Sequence, residues 1–309
     1  MKRWQADVTL GLIALIWGAT FVVVQNALDS VGPLTFVAWR FALASLVLIA
    51  LFHRRFRLVS RAELRSGGLI GLWLGGGYIF QTVALQHTTT AKVGFLTGLS
   101  VVIVPFLALA LLRQAPGRGA LIGIGAATIG LGFLSLDSDL RVQSGDLWAL
   151  GCAVMFAFHL ITVARYSPRY DAIRLSMAQM FAVFLLATGA AFAFETPTIR
   201  LPLDTWGVIA FMGVAATALV FSVLIYVQRF TTPTHSALLF SLEPVFAAFF
   251  GWWWAGERLG AKEVVGCGLI LFGMIVAELG RERDPAEDAA RPSRRNKTRR
   301  PRATRLWSR

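Results

Sequence analysis

Ten stretches of apolar residues follow one another along the chain, with short polar segments between them. Each stretch is long enough, or nearly so, to cross a hydrocarbon core of about 30 Å. Because backbone groups inside lipid must bond to one another, the stretches predict helices. The predicted spans are residues 7–28, 33–52, 67–86, 91–112, 118–136, 146–165, 172–194, 205–228, 234–255 and 262–280.

The second half of the chain repeats the first. Residues 91–132 match residues 234–275 at a constant offset of 143, and Asp7 and Asp146 open the first span of each half. Each half holds five spans, an odd number, so the second copy enters the membrane from the opposite face. We therefore predict an all-α membrane protein of ten transmembrane helices in two inverted five-helix repeats, residues 1–140 and 141–280.

Composition agrees with a membrane protein. Of the 309 residues, 56% are hydrophobic and 15% are charged, which is more apolar surface than an ordinary soluble domain can cover. A large soluble protein with many buried helices is the alternative. Cys152 and Cys267 lie inside apolar runs without metal-ligand or disulfide spacing. We expect no metal, no cofactor and two small buried thiols.

The basic residues predict the direction of the spans. Before residue 281, the loops on the side of the N-terminus carry 13 Lys and Arg residues, and the opposite loops carry five. This bias places both termini in the cytoplasm.

The last segment, residues 281–309, has 11 basic and four acidic residues, three prolines and few core-forming side chains. We predict a disordered basic cytoplasmic tail. A nucleic-acid-binding arm is one interpretation of such a tail. Contact with anionic membrane lipids is the interpretation that we favour, so no specific nucleic-acid partner is expected.

One acidic residue lies deep in a predicted span. Glu243 is about nine residues, or roughly 14 Å, into the ninth span. Pro244 follows it and removes the hydrogen bond to the carbonyl of Phe240, which predicts a kink. Ionisable groups at this depth are costly and are functional by default. Glu243 is a candidate for binding a substrate amine or a proton; a hydrogen bond to a neighbouring helix is the structural alternative.

Two further ionisable residues lie inside spans. Arg40, in the second span, suits a substrate carboxylate; reaching the headgroups or pairing with an acid is the alternative. His159, in the middle of the sixth span, suits a proton shuttle; a hydrogen-bonded histidine inside the bundle is the alternative.

Polar and aromatic side chains recur at helical spacing in three spans. Tyr78 and Gln81 share a stripe of the third span, and Ser222 and Tyr226 share one of the eighth. Together with Trp17 they are candidates for a largely apolar pocket with polar anchors, and packing in the core is the alternative. The chain has no GxxxxGK[ST] motif, so ATP does not drive it. Any transport then uses an ion gradient or runs downhill.

Four short motifs carry a family resemblance. They are Trp17-Gly18-Ala19-Thr20-Phe21, Trp39-Arg40-Phe41, Leu242-Glu243-Pro244-Val245 and Gly256-Glu257-Arg258-Leu259. In their predicted helices they resemble the drug/metabolite transporter superfamily, especially EamA-type members, over residues 7–280. One departure concerns a proline common in the first half of that family. Val101 stands there, and Pro105, a second candidate kink, comes one turn later.

The resemblance implies a carrier of small metabolites, proton-coupled or facilitated, with alternating access around a central cavity. It often means an exporter of amino acids. We therefore expect a secondary transporter of amino acids or related metabolites, and not an enzyme, in a bacterial inner membrane. A facilitator or channel-like pathway is the first alternative, and a membrane-embedded lipid-modifying enzyme is the second.

The charge bias generates a test of orientation. Single cysteines placed at the two termini should react with a membrane-impermeant reagent only after the cytoplasmic face is exposed. A reporter fused after Arg309 that is active on the outer side would contradict this orientation.

Overall fold

The computed structural model describes residues 1, 3–88, 90–135, 143–254 and 260–279, and it confirms the prediction of an all-helical protein for these ranges. The predicted tail and the Gly256-Glu257-Arg258-Leu259 motif lie outside the described residues. The helices are α1 (Arg3–Ala27), α2 (Pro33–Leu51), α3 (His53–Phe56), α4 (Arg61–His87), α5 (Thr90–Gly98), α6 (Ser100–Leu107), α7 (Arg118–Ser135), α8 (Ser144–Tyr166), α9 (Ala172–Phe194), α10 (Leu203–Gly213), α11 (Val220–Val227), α12 (Pro233–Phe240), α13 (Leu242–Trp254) and α14 (Ala261–Leu279).

Among the described residues, six helical segments are long and apolar enough to cross a membrane. They are Pro33–Leu51, Arg61–His87, Val93–Leu112, Ser144–Tyr166, Ala172–Phe194 and Leu203–Phe230. The other four predicted stretches coincide with α1, α7, the α12–α13 pair and α14. That these four also cross the membrane stays a prediction.

Three of the predicted spans are interrupted helices. The stretch 91–112 consists of α5, α6 and a π-helical segment at Ala108–Leu112, with Pro105 inside α6. The stretch 205–228 changes to a π-helix at Val214–Leu219 and ends in a 3₁₀ turn at Gln228–Phe230. The predicted kink of the ninth span is a break at Ser241, three residues before Pro244. Pro244 therefore occupies the first turn of α13, where a missing N–H costs little.

Side-chain caps hold several helix ends on one side of the bundle, which we call the near end because α1 begins there. Ser60 Oγ accepts the Glu63 N–H at 3.2 Å, and Glu63 Oε2 accepts the Ser60 N–H at 2.9 Å, which forms a capping box at the start of α4. Glu63 also pairs with Arg174 Nε of α9 at 3.0 Å. The cap therefore ties α4 to α9 as well.

At the opposite side of the bundle, the far end, a carboxylate joins the end of α9 to the start of α2. Glu195 accepts the N–H groups of Leu34 and Thr35 at 2.8 and 2.9 Å, and the Thr35 hydroxyl at 2.7 Å. These bonds satisfy helix-start donors that have no partner within their own helix.

Glycines allow α4 to pack closely against its neighbours. A Cβ built on Gly71 would lie 2.6 Å from the Gln179 carbonyl oxygen of α9, and one on Gly67 would overlap the Ala178 Cβ. On another side of α4, a Cβ on Gly76 would lie 3.2 Å from Met155 Sδ of α8. Lipid gives no hydrophobic drive between helices, so such close contacts are a main source of packing energy.

The packing generates a prediction for paired substitutions. Gly71→Ala should lower the melting temperature of the purified protein, because the new methyl group meets backbone and overpacking costs about 1–3 kcal/mol. Gly68→Ala is the matched control, since a Cβ there has nothing within 4 Å. Equal melting temperatures for the two variants would contradict the close approach of α4 and α9.

Candidate functional site

Arg40 of α2 is buried in the middle of the bundle, with 4% of its surface exposed. Its Nε donates to Thr217 Oγ1 at 2.6 Å, and its Nη2 donates to the Tyr78 hydroxyl at 3.3 Å. The guanidinium carbon also lies 4.6 Å from the centre of the Tyr78 ring, within the range of a cation–π contact. The Arg40 side chain thus lies in the protein interior, hydrogen-bonded to residues of two other segments.

The partner Thr217 lies in the π-helical segment that follows α10. The close contact of this segment with α2 depends on Gly213, because a Cβ there would lie 2.9 Å from the Arg40 carbonyl oxygen. Single π-helical turns often mark functional sites, and this one places a hydroxyl against a buried cation.

Glu243 lies in the first turn of α13, directly after the break at Ser241, and its side chain is neither fully buried nor on the surface. It interacts electrostatically with Arg40 and Tyr78. In the part of the chain that the structure describes, no hydrogen bond or ion pair ends on its carboxylate. Arg40 and Glu243, which the sequence predicts as ionisable residues inside spans, thus lie close enough to interact electrostatically.

The α1 helix comes close to this turn at Gly18. A Cβ on Gly18 would lie 2.6 Å from the Glu243 carbonyl oxygen. Trp17, the preceding residue, donates its Nε1–H to the carbonyl oxygen of Ala216 at 3.1 Å. The Trp17-Gly18 motif therefore connects α1 with α13 and with the π-helical segment that holds Thr217.

A cluster of aromatic rings extends from Tyr78, which contacts Arg40. The Trp17 ring centre lies 5.2 Å from that of Phe221 and 5.3 Å from that of Phe240. Tyr78 lies 6.1 Å from Phe221 and 5.6 Å from Phe156. Trp17 and Tyr78 were predicted from the sequence, but the three phenylalanines were not, because the chain has 23 phenylalanines and nothing in the local sequence distinguishes these three.

His159 and Gln179 contact each other next to the Phe221 ring. His159 Nε2 lies 3.2 Å from Gln179 Oε1, and both residues are buried. The His159 ring centre is 5.8 Å from that of Phe221. The Gln179 Nε2 has no hydrogen-bond partner among the described residues. His159 therefore contacts the wall of the site and not its charged pair.

Three other predicted site residues have no hydrogen bond to Arg40 or Glu243 among the described residues. Ser222 Oγ donates to the Ala218 carbonyl oxygen in the preceding π-helical segment at 2.7 Å. Tyr226 is 46% exposed and packs against Phe230. Gln81 is half-buried, nearly one turn beyond Tyr78 on α4. The structure thus brings together Arg40, Glu243, Trp17 and Tyr78 from the predicted set.

A separate cavity of about 620 Å³ opens between α1, α10 and α13. Its lining is apolar apart from Thr20 and Asp204, and it includes Ile16, Val23, Phe211 and Phe250. Neither Arg40 nor Glu243 lines it. In the described ranges, no group of three or more His, Cys, Asp and Glu residues is placed to hold a metal ion.

A family model for EamA-like transporters matches the chain over residues 5–136 and again over residues 143–278. The chain belongs to the EamA-like transporter family. This confirms the resemblance drawn from the four motifs, and it makes the protein a multi-pass membrane protein and a transporter. Membership agrees with the expectation that the chain is not an enzyme.

Individual EamA-type relatives cover nearly the whole chain. An uncharacterized transporter of Archaeoglobus fulgidus is 32% identical over 281 residues, which are 90% of this chain and 87% of the relative. The uncharacterized inner membrane transporter YedA of Escherichia coli K12 is 24% identical over 90% of this chain and 92% of its own. A protein of known crystal structure has the same fold, with a TM-score of 0.74 at 18% identity, covering 90% of this chain and 98% of that one.

The geometry around Arg40 generates a prediction on stability. Arg40→Lys should lower the free energy of unfolding in mixed micelles by about 2–4 kcal/mol, because a lysine cannot keep both the Thr217 bond and the planar contact with Tyr78. Tyr78→Phe should cost less, about 0.5–1.5 kcal/mol, because the ring stays and only one long hydrogen bond is lost. The reverse order of the two effects would show that the Thr217 bond does not hold Arg40.

Proposed function

We propose that this EamA-type transporter carries zwitterionic metabolites, amino acids or close analogues, between Arg40 and Glu243. The observation that carries the proposal is the electrostatic interaction between Arg40 and Glu243 in an interior that also holds the Trp17, Tyr78 and Phe221 rings. A guanidinium suits a carboxylate, and a carboxylate without a hydrogen bond from the described protein suits an ammonium group. The rings of Trp17, Phe221 and Phe240 offer apolar surface to the rest of the solute.

The second part of the proposal is that the two halves are inverted repeats that alternate around this site. The matched ranges 5–136 and 143–278 support a division near residue 140. Both halves also break their fourth helix at related places: the first at Leu99, and the second at Ser241, which corresponds to Gly98 at the offset of 143.

The crossing of α7 and α14 supports the inversion directly. A Cβ on Gly123 would lie 2.5 Å from the Gly273 carbonyl oxygen, and one on Gly130 would lie 2.6 Å from the Gly266 carbonyl oxygen. The contact order is antiparallel. At the offset of 143, Gly123 corresponds to Gly266 and Gly130 corresponds to Gly273. If the two halves are exchanged, the contact between Gly123 and Gly273 therefore becomes the contact between Gly266 and Gly130. Such exchange requires a two-fold axis perpendicular to both helices, which lies in the membrane plane if the helices span it.

Alternating access then has a physical basis in this chain. Each half can adopt the conformation that the other half has, and the solute site lies between them. Without a nucleotide-binding motif, accumulation requires an ion gradient, and protons are the proposed ion. Glu243 is the group that we propose for proton or amine binding, because its carboxylate sits beside a helix break and opposite Arg40.

Uptake of labelled amino acids into proteoliposomes, with and without a pH gradient, tests this function. We expect uptake that the gradient increases, and Glu243→Gln should abolish it, because the variant has no charge for an ammonium group or proton. Asp204→Asn is the matched control, since the Asp204 carboxylate lies outside the site and accepts the N–H of its neighbour Thr205.

Unchanged flux in a folded Glu243→Gln protein would contradict the role of this residue. Uptake that runs only down the substrate gradient, whatever the pH difference, would show a facilitator in place of a proton-coupled carrier.

A further inference from the structure

The first helix of each half begins with an aspartate in related positions. Asp7 precedes Trp17 by the same ten residues that separate Asp146 from Phe156, so α1 and α8 carry the aspartate at equivalent places. Two other positions are related by the offset of 143: Thr88 corresponds to Thr231, and position 92, a lysine, corresponds to His235. Each half therefore contains an aspartate, a threonine and a basic residue at matching positions.

At the far end, the aspartate and the threonine are bonded to each other. Thr88 Oγ1 donates to Asp146 Oδ1 at 2.7 Å, and Asp146 is 9% exposed. The neighbouring Gly145 lies against the end of α4, where a Cβ would be 2.7 Å from the His87 carbonyl carbon. The start of α8 is thus held on the end of α4.

At the near end, the equivalent bond is not made. Asp7 Oδ1 lies 3.0 Å from His235 Nε2, which joins α1 to α12. The Thr231 hydroxyl is buried and has no hydrogen-bond partner among the described residues, although its counterpart Thr88 bonds to the aspartate. A buried hydroxyl without a partner is unfavourable, so Thr231 is in an arrangement that a different conformation would improve.

We propose that Asp146–Thr88 and Asp7–Thr231 are two reciprocal gates, and that the aspartate–threonine bond forms at one end of the bundle as it breaks at the other. In an inverted repeat, the conformation of one half in one state is the conformation of the other half in the opposite state. The structure has the bond made at the far end and absent at the near end, as one such state requires. This inference rests on the inverted repeat of the proposed function, but not on the solute.

Cysteine cross-linking at the near end tests the reciprocity without any substrate. The full chain is prepared with Cys152→Ala, Cys267→Ala, Asp7→Cys and Thr231→Cys, reconstituted, and oxidised mildly while disulfide formation is timed. Adding Thr88→Val removes the far-end bond and should speed the near-end disulfide by about tenfold. Thr82→Val is the matched control, because the Thr82 hydroxyl donates to the Tyr78 carbonyl oxygen of its own helix.

The same experiment at the far end gives a second measurement, so the test does not depend on the folding of a single variant. With cysteines at positions 88 and 146 instead, Thr231→Val removes the competing near-end bond and should speed the far-end disulfide. Ser236→Ala is its control, since Ser236 Oγ donates to the Thr232 carbonyl oxygen of the same helix at 3.2 Å.

Disulfide rates that do not change with the valine substitutions at either end, in folded protein, would overturn the reciprocal gates. The proposed amino-acid transport would be untouched by that result. If the protein shows no amino-acid uptake but both disulfide rates respond to the valine substitutions, the proposed solute is wrong and the reciprocal gates are supported.

Discussion

A guanidinium inside a membrane protein is stable only where neighbouring groups replace the water that it has lost. The helices packed around Arg40 have to supply such groups. The Thr217 hydroxyl and the face and hydroxyl of Tyr78 are its contacts. The Thr217 hydroxyl lies in a π-helical segment, and Gly213 lets that segment touch α2. The irregular part of the eighth predicted span is thus the part that contacts the buried charge.

The break in the ninth predicted span also has a structural cause, which is Pro244. In a continuous helix the ring of Pro244 would clash with the carbonyl group of Phe240, which lies four residues earlier. By ending α12 at Phe240 and starting α13 at Leu242, the chain places Pro244 in a first turn, and the same turn presents Glu243 toward the region of Arg40. Gly18 allows α1 to cover this turn. The turn that accommodates Pro244 is therefore also the turn that holds Glu243, which we propose as a solute-binding residue.

Part of this arrangement could be predicted from the sequence. Arg40 and Glu243 are recognisable because ionisable residues are rare in long apolar stretches, and the offset of 143 identified both the repeat and its glycines. The exact break points could not be predicted, because Ser241 and Leu99 have no local signal that outweighs the apolar pattern around them. Thr217 was missed for a similar reason, since its role depends on a change of helix type and on a partner 177 residues away.

Helical spacing does not show which neighbouring helices one face of a helix contacts. Ser222 and Tyr226 share a stripe by spacing, yet Ser222 is buried while Tyr226 is exposed beside Phe230. A four-residue interval places two side chains on one face but does not say which helix lies beside each turn. Phe221, by contrast, contacts Trp17, Tyr78 and His159, a central position that only the tertiary packing reveals.

If Arg40 and Glu243 hold opposite ends of one solute, as proposed, both charged groups of that solute contribute to binding, and competition by paired analogues measures each contribution. Binding of a labelled amino acid is measured against the same compound without its amine and without its carboxylate, in the original protein and in Glu243→Gln. We expect the original protein to prefer the complete zwitterion, and Glu243→Gln to bind the zwitterion and the analogue without the amine equally well. If the substitution leaves the preference between these two compounds unchanged, Glu243 does not bind the amine.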